Sequence, residues 1–340
     1  MKNYFYLLLS VLLVTCGSNN HIQNTKETLE VTGETAVLYG NTITANELKE
    51  HLYILASDEF EGRETGEPGQ KKAANFLRNY YILNKISSPT GIQDYFQTIP
   101  TSELTPATKP SENVLAFIKG SEKPAEIIVI SAHYDHLGMK NGDIYNGADD
   151  DGSGTVAIME IAQAFKEASK NGNGPRRSIL ILHATGEEKG LLGSKYYTKF
   201  PVFPLVNTVA NLNIDMIGRV DDAHENTPNF VYLIGSDKLS TELHVLSEQM
   251  NEKFTKLQLD YTYNDKKDPN RFYYRSDHYN FAKHNIPIIF YFNGMHQDYH
   301  KPSDTPDKIN YELLEKRTKL IFYTAWELAN RPERIKVDKK

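Results

Sequence analysis

The sequence predicts an α/β protein in which a mixed, largely parallel sheet is flanked by helices. Short and almost wholly apolar runs, such as Ile127–Ile130 and Ser178–Ala184, are typical of strands that are buried on both faces. Amphipathic segments such as Thr155–Ala168 lie between these runs, and strands that alternate with helices favour a mostly parallel sheet. No internal repeat or linker is evident after residue 44, so we predict a single domain over residues 44–340.

Six strands and six helices are predicted from these patterns. Thr44 and Glu47 can form a capping box ahead of the first helix, and Pro68 lies near the start of the second. The other helices are predicted over Thr155–Ala168, residues 239–250, Asp277–His284 and Asn310–Asn330. The strands are predicted over Asn113–Ile118, Glu126–Ser131, Ser178–Ala184, Val206–Ile214, Phe230–Ile234 and Ile286–Phe292. We expect the turn Lys119–Pro124 to join the first two strands, and Thr255–Arg275 to be a loop or short hairpin.

The N-terminus differs in composition from the rest of the chain. In residues 1–15, Lys2 precedes an apolar run that is short for a bilayer span and is typical of a secretory signal peptide. The only cysteine, Cys16, follows at once, in a context that resembles a bacterial lipoprotein signal; a plain cleaved signal is the alternative. Residues 16–43 are predicted to be a polar tether. We therefore expect an exported chain in the cell envelope or periplasm, with membrane attachment only through a lipid anchor at Cys16.

The bulk composition narrows the class of partner. The 340 residues are 39% hydrophobic and 24% charged, which is typical of a globular chain. The net charge is −6 and there is no run of Lys or Arg, so nucleic acid is not the expected partner.

Acidic and imidazole side chains follow the predicted buried strands. In chain order they are His133, Asp149–Asp151, Glu187, Glu188, Asp215 and His300. In an open α/β sheet, ligands bind in the crevice outside the carboxyl ends of the strands. So many carboxylates in one crevice would repel one another without a counter-charge. We therefore predict a metal centre at this edge of the sheet.

Two zinc ions would balance the charges of such a centre. One aspartate of the cluster, together with Glu188 and Asp215, brings three negative charges, which two dications and a bridging hydroxide neutralise. Consecutive side chains of extended backbone point in opposite directions, so one of two adjacent glutamates can bind metal while the other acts as a general base. The alternatives are a solvated acidic loop or a calcium site at Asp149–Asp151, and a satisfied core histidine at His133.

Five motifs resemble those of the two-zinc aminopeptidases of metallopeptidase family twenty-eight. In chain order they are SAHYDHLG, NGADDDGSG, TGEEKGLLGS, NIDMIG and YHKPSDT. The resemblance extends over residues 45–330 and includes Asp58–Gly69. It implies a mixed sheet between helices and an enzyme that removes N-terminal residues from peptides. The stretch between the second helix and strand Asn113–Ile118 is too short for the protease-associated insert that some members carry.

The resemblance implies which residues bind the zinc ions. His133 and Asp215 would bind one ion, and Glu188 and His300 the other. Asp150, the middle aspartate of the cluster, would bridge the two ions.

The resemblance also implies roles for residues around the metals. Glu187 would be the general base, Asp135 would orient His133, and the Asp150–Asp151 peptide bond would be cis. Tyr291 is our candidate for the tyrosine that stabilises the oxyanion, and a helix N-terminus accounts for Asp277. The histidines that we interpret as structural are His136, His183, His278, His284 and His296.

The predicted function is therefore a zinc-dependent aminopeptidase that acts on peptide or protein N-termini through a metal-bridging hydroxide. A glutaminyl cyclase on the same scaffold, with one zinc, is the first alternative; the presence of both His133 and Asp215 favours two metals. A non-catalytic binding protein of the cell envelope is the second.

Overall fold

The computed structural model describes Met1, residues 33–105 and residues 108–339. The rest of the predicted signal peptide, Cys16 and the predicted tether as far as residue 32 lie outside the described residues. Within the described ranges, no helix is both long enough and apolar enough to span a membrane.

Among the described residues, ten strands form one large sheet and one small hairpin. In chain order they are β1 (Phe96–Ile99), β2 (Ser111–Ile118), β3 (Lys123–His133), β4 (Gly138–Lys140), β5 (Asp143–Tyr145), β6 (Arg177–Ala184), β7 (Thr208–Ile214), β8 (Phe230–Ile234), β9 (Gln258–Asp260) and β10 (Ile288–Phe292). The large sheet has the order β1-β2-β6-β3-β7-β10-β8-β9, and β4 and β5 form the hairpin. The four central strands β6, β3, β7 and β10 are parallel to one another, so their carboxyl ends lie at the same edge.

Eight α-helices accompany the strands in the part of the chain that the structure describes. They are α1 (33–40), α2 (Ala45–Leu55), α3 (Pro68–Leu83), α4 (Gly154–Lys170), α5 (Leu192–Lys199), α6 (Thr241–Met250), α7 (His278–Ala282) and α8 (Tyr311–Asn330). The predicted N-cap is present at α2, where the Thr44 hydroxyl accepts a hydrogen bond from the Glu47 main-chain N–H. The Asn310 side chain caps α8 in the same way through Leu313.

The sheet is covered on both faces. Ile128 and Ile130 of β3 point into a large apolar cluster with α2, α3, α4, α6 and α8. Ile127 and Val129, which alternate with them, point to the opposite face and pack with residues of α5 and α7. Because both faces of the sheet are buried, the sequences of the central strands are unbroken apolar runs. The predicted α/β class with a mixed, largely parallel sheet is confirmed.

The packed domain begins before residue 44, so the predicted tether is wrong for residues 33–43. Ala36, Tyr39 and Ile43 are buried in the large apolar cluster, and the Tyr39 ring stacks on Trp326 with 5.8 Å between ring centroids. The segment mixes polar and apolar residues: Ala36, Tyr39 and Ile43 lie toward the core, whereas Val37 and Leu38 are exposed.

The turn Lys119–Pro124 joins β2 and β3 along the chain, as predicted, but the two strands are not neighbours in the sheet, because β6 lies between them. Of the two forms predicted for Thr255–Arg275, the loop is the better description. The segment contributes only the short strand β9, which pairs in parallel with β8 and so forms no hairpin.

Candidate metal centre

The carboxyl ends of the parallel strands bring all the predicted ligands into one cluster. His133 ends β3, Asp215 follows β7 directly, and Glu188 lies four residues after β6. Asp150 comes from the turn ahead of α4, and His300 from the loop after β10. The sequence-based prediction that these five side chains meet at one edge of the sheet is therefore confirmed.

Asp150 lies between the two predicted halves of the site. Its Oδ1 is 3.3 Å from His133 Nε2, and its Oδ2 is 3.0 Å from His300 Nε2. Burial alone would raise the pKa of Asp150, but the imidazoles of His133, His136 and His300 hold it well below its usual value. The lowered pKa keeps the Asp150 carboxylate ionised. Each of its two oxygens faces a different imidazole, an arrangement compatible with a bridge between two cations.

The first half of the site surrounds His133. Its Nε2 is 3.6 Å from Asp215 Oδ1 and 3.9 Å from Glu187 Oε2. Burial opposes protonation of this imidazole, yet Glu187 and Asp215 raise its pKa well above the usual value. The pocket is therefore strongly negative and favours a cation.

Asp151 also lies within reach of His133 and Asp215, but its carboxylate is occupied elsewhere. Its Oδ2 accepts a hydrogen bond from the main-chain N–H of His133, and its Oδ1 accepts from Gly154 and Met216. Through these three hydrogen bonds, the Asp151 side chain connects the end of β3, the residues after β7 and the start of α4. The peptide bond between Asp150 and Asp151 is cis, as the resemblance implied.

The second half of the site surrounds Glu188. Its Oε1 is 3.3 Å from His300 Nε2 and 2.9 Å from His136 Nδ1. Burial would raise the pKa of Glu188, but these two imidazoles lower it to about 2. The structure places the ring of His136, which we interpreted as structural, inside the cluster.

Asp135 contacts His133 more closely through its main-chain oxygen than through its carboxylate. His133 Nδ1 is 3.1 Å from the Asp135 main-chain oxygen and 3.8 Å from its carboxylate Oδ1. The carboxylate instead accepts hydrogen bonds from the Thr65 hydroxyl and the Glu187 main-chain N–H. Asp135 therefore orients His133 through its backbone and holds Glu187 through its side chain.

A second carboxylate supports the loop that carries Asp150. The Asp304 side chain accepts hydrogen bonds from the main-chain N–H groups of Asp149 and Asp150. Asp149 accepts a hydrogen bond from the Gly218 main-chain N–H, and its Oδ2 lies 3.2 Å from His296 Nε2. His296 thus lies behind the cluster, as predicted for a structural histidine.

Tyr299, and not the predicted Tyr291, lies at the site. The two neighbours of Tyr291 on β10, Phe290 and Phe292, line the pocket, so Tyr291 points to the other face, into the core. The Tyr299 ring lines the same pocket and stacks on His300 with 3.9 Å between ring centroids. Burial raises the pKa of Tyr299, so its phenol stays protonated and can donate a hydrogen bond.

A narrow pocket opens beside the cluster. Asp150, Glu187, Asp215 and His300 form its polar wall. The rest is lined by Met216, Phe272, Arg275, Phe290, Phe292, Met295 and Tyr299. Beside the polar wall, the pocket therefore offers mostly apolar side chains, with the exposed guanidinium of Arg275 among them.

The donor atoms fit zinc. His133 Nε2, His136 Nδ1 and Glu188 Oε1 are buried and have no hydrogen-bond partner among the described residues. Leaving such atoms unpaired costs about 1–3 kcal/mol each, so a native site needs a partner for them. Imidazole nitrogens and carboxylate oxygens facing one another are the ligand set that zinc prefers.

Comparison with known proteins agrees with this chemistry. The sequence profile of Peptidase family M28 matches residues 113–325, which is more than half of the chain. The chain is 32% identical over 225 residues to a probable leucine aminopeptidase of Trichophyton verrucosum, covering 64% of this chain and 57% of that relative. It is 25% identical over 297 residues to a probable zinc metalloprotease of Pyrenophora teres f. teres, covering 76% of this chain and 59% of that one. The chain thus spans less than two thirds of the length of these curated relatives.

Solved structures share the fold at lower identity. The LapA aminopeptidase of Legionella pneumophila is similar with a TM-score of 0.69 and 22% identity, over 88% of this chain and 76% of that one. A glutaminyl cyclase of Porphyromonas gingivalis is similar with a TM-score of 0.64 and 17% identity, over 83% of this chain and 98% of that one.

Proposed function

Because the chain is a member of Peptidase family M28, we propose that it is a zinc-dependent aminopeptidase that removes N-terminal residues from peptides. The observation that carries this proposal is the position of Asp150, whose two oxygens face His133 and His300 separately, with Glu187 beside them. That arrangement supports two metal ions next to a carboxylate that is free to move a proton.

The proposed ligands divide into two sets that share Asp150. His133 and Asp215 would complete the first set, and Glu188 and His300 the second. When bound, the two zinc ions would supply Lewis acidity and lower the pKa of a water molecule between them.

Glu187 is the proposed general base. Its carboxylate lines the pocket, and the hydrogen bond from its main-chain N–H to Asp135 fixes its backbone. Burial raises the pKa of Glu187, which brings a carboxylate closer to the pH at which it can both take and return a proton. We propose that Glu187 takes a proton from the attacking water and gives it to the departing amine.

We predict that Tyr299→Phe lowers kcat by about 10²–10³-fold, because the phenol would donate a hydrogen bond to the oxyanion that forms from the substrate carbonyl. Steady-state kinetics on leucyl-p-nitroanilide would measure the loss. Tyr291→Phe is the matched control: it removes a hydroxyl from the same region but on the core side, so kcat should not change. Equal kcat values for Tyr299→Phe and the parent enzyme would remove Tyr299 from the mechanism.

We also predict a preference for large apolar N-terminal residues, since the pocket wall is mostly aromatic and thioether. Each methylene that such a pocket accepts contributes about 10–200-fold in kcat/KM, so leucyl substrates should exceed glycyl substrates by at least about 10²-fold. A series of aminoacyl-p-nitroanilides would measure this ratio. Met295→Ala, which enlarges the pocket at a half-exposed position, should lower the preference for leucyl over alanyl substrates. A uniform kcat/KM across the series would contradict the assignment of this pocket.

The similarity to a glutaminyl cyclase makes that activity the competing proposal. Purified protein should therefore be given aminoacyl-p-nitroanilides and peptides with N-terminal glutamine in parallel, with zinc counted per chain. Hydrolysis with two zinc ions supports the aminopeptidase. Cyclisation of glutamine peptides with one zinc would replace it.

We further propose that the chain is exported and attached to a membrane through Cys16. The support is the apolar run of residues 1–15 and the position of the only cysteine directly after it. Peptides in the cell envelope would then be the substrates.

A further inference from the structure

We infer that His136 is a direct ligand of the metal ion held by Glu188, so that this ion has two imidazole ligands while the ion at Asp215 has one. The inference rests on the proposed function and adds a ligand to the second of the two sites.

The contacts of the His136 ring are those of a ligand. Its Nδ1 is 2.9 Å from Glu188 Oε1 and 3.8 Å from Asp150 Oδ2, and one ligand atom from each of these three residues lies within 4.8 Å of the others. The side chain is 0% exposed, yet neither ring nitrogen has a hydrogen-bond partner within the described part of the chain. His183 and His278, which are equally buried, each pair one nitrogen, with the Tyr81 hydroxyl and with the Tyr273 main-chain oxygen. The polar groups that the His136 ring faces are instead the carboxylates of Glu188 and Asp150, which belong to the metal centre.

Protein contacts hold the His136 ring in place. The His136 main-chain N–H donates to the main-chain oxygen of Arg63. On its other side the ring rests against Gly147, where a Cβ atom would lie 2.5 Å from the ring carbons. An imidazole held in this way loses little conformational entropy when it binds a metal ion, which is the property of a preorganised ligand.

His136 and His300 approach Glu188 from two sides. Their rings meet edge to face with 5.8 Å between centroids, and His300 Nε2 is 3.3 Å from the same Glu188 oxygen. The His300 side chain is 36% exposed, whereas His136 is enclosed. The buried imidazole is therefore the inner ligand of this ion, and His300 is the outer one on the solvent side.

The first test measures zinc affinity, not activity. In His136→Gln, we expect the affinity for one zinc equivalent, the one held by Glu188, to fall by at least about 100-fold, since even partners of a ligand contribute about 10–100-fold. The other equivalent should change by no more than a few-fold. Competition with a chromophoric chelator would give both constants, and circular dichroism and thermal melting would confirm folding. His183→Gln, which removes an equally buried imidazole that contacts Tyr81, should leave both constants unchanged.

The second test gives a signature that a structural role cannot produce. In His136→Cys loaded with cobalt in place of zinc, a thiolate bound to the metal should give a near-ultraviolet charge-transfer band. The parent protein and His183→Cys, which also contain Cys16, should lack this band. If the band is absent and the affinity of His136→Gln is unchanged, His136 only orients Glu188 and the inference is overturned. In that case a parent protein that binds two zinc ions and cleaves peptides keeps the proposed function; a parent protein that binds no zinc overturns both.

Discussion

Replacing Glu187 by Gln should lower kcat by about 10²–10⁴-fold while both zinc ions stay bound. The amide has the same shape as the carboxylate but cannot accept the proton of the attacking water. The Glu187 main-chain N–H keeps its hydrogen bond to Asp135, so the local backbone should be unchanged. Steady-state kinetics on leucyl-p-nitroanilide, with zinc counted on the same sample, would measure the effect.

The control for this variant is Glu103→Gln, which makes the same chemical change at a surface ion pair with Lys199. It should keep full activity. If Glu187→Gln turned over substrate at the parent rate, another group would have to move the proton. If it instead lost zinc, Glu187 would be a ligand and not the base.

Replacing Asp150 by Asn should empty both metal sites. One negative charge faces both proposed cations, and two opposite unit charges about 4 Å apart attract each other by about 4 kcal/mol at an effective dielectric constant of about 20. Because each zinc ion is a dication, the loss of this charge should weaken the affinity for each ion by at least about 10³-fold. Zinc content by atomic emission should fall from two per chain to less than one after dialysis, and activity should fall with it.

Two other aspartates separate this effect from a general loss of charge or fold. Asp222→Asn removes a charge from an exposed position and should keep two zinc ions. Asp151→Asn should instead lower the melting temperature, because the Asp151 carboxylate accepts three main-chain N–H groups. If Asp150→Asn retained both ions with parent affinity, the bridge would have to be assigned to another carboxylate.

The convergence of the ligands could be predicted because it depends on the sheet alone. His133 and Asp215 follow apolar runs, and parallel strands end at the same edge, so their meeting needed no knowledge of the loops. The choice of Asp150 within the aspartate cluster came from the family resemblance. The physical reason for this choice is visible only in the fold, where the carboxylates of Asp149 and Asp151 accept hydrogen bonds from main-chain N–H groups.

The errors have physical causes of two kinds. Tyr291 was misplaced because β10 is apolar on both faces, so alternation could not show which face borders the pocket. His136 was missed because the direction of its ring depends on two contacts that the sequence pattern does not show. Arg63 is distant in sequence, and Gly147 is separated from His136 by a loop. Residues 33–43 were assigned to a tether because so short a mixed segment shows little periodicity, although three of its apolar side chains are buried.

The fully buried guanidinium of Arg63 connects the N-terminal part of the domain to the metal centre. It donates hydrogen bonds to the main-chain oxygens of Leu55, Tyr134, Asn146 and Gly147, and burial lowers its pKa only to about 10, so it is still charged at neutral pH. Arg63 lies outside residues 113–325, where every proposed zinc ligand is found. A fragment limited to residues 113–325 would therefore contain every proposed zinc ligand but would lack Arg63. The guanidinium of Arg63 connects the loop after β3, at Tyr134, to the turn ahead of α4, at Asn146 and Gly147. The N-terminal helices are accordingly packed against the proposed metal centre, and we expect a chain shortened from that end to bind zinc more weakly although every proposed ligand is present.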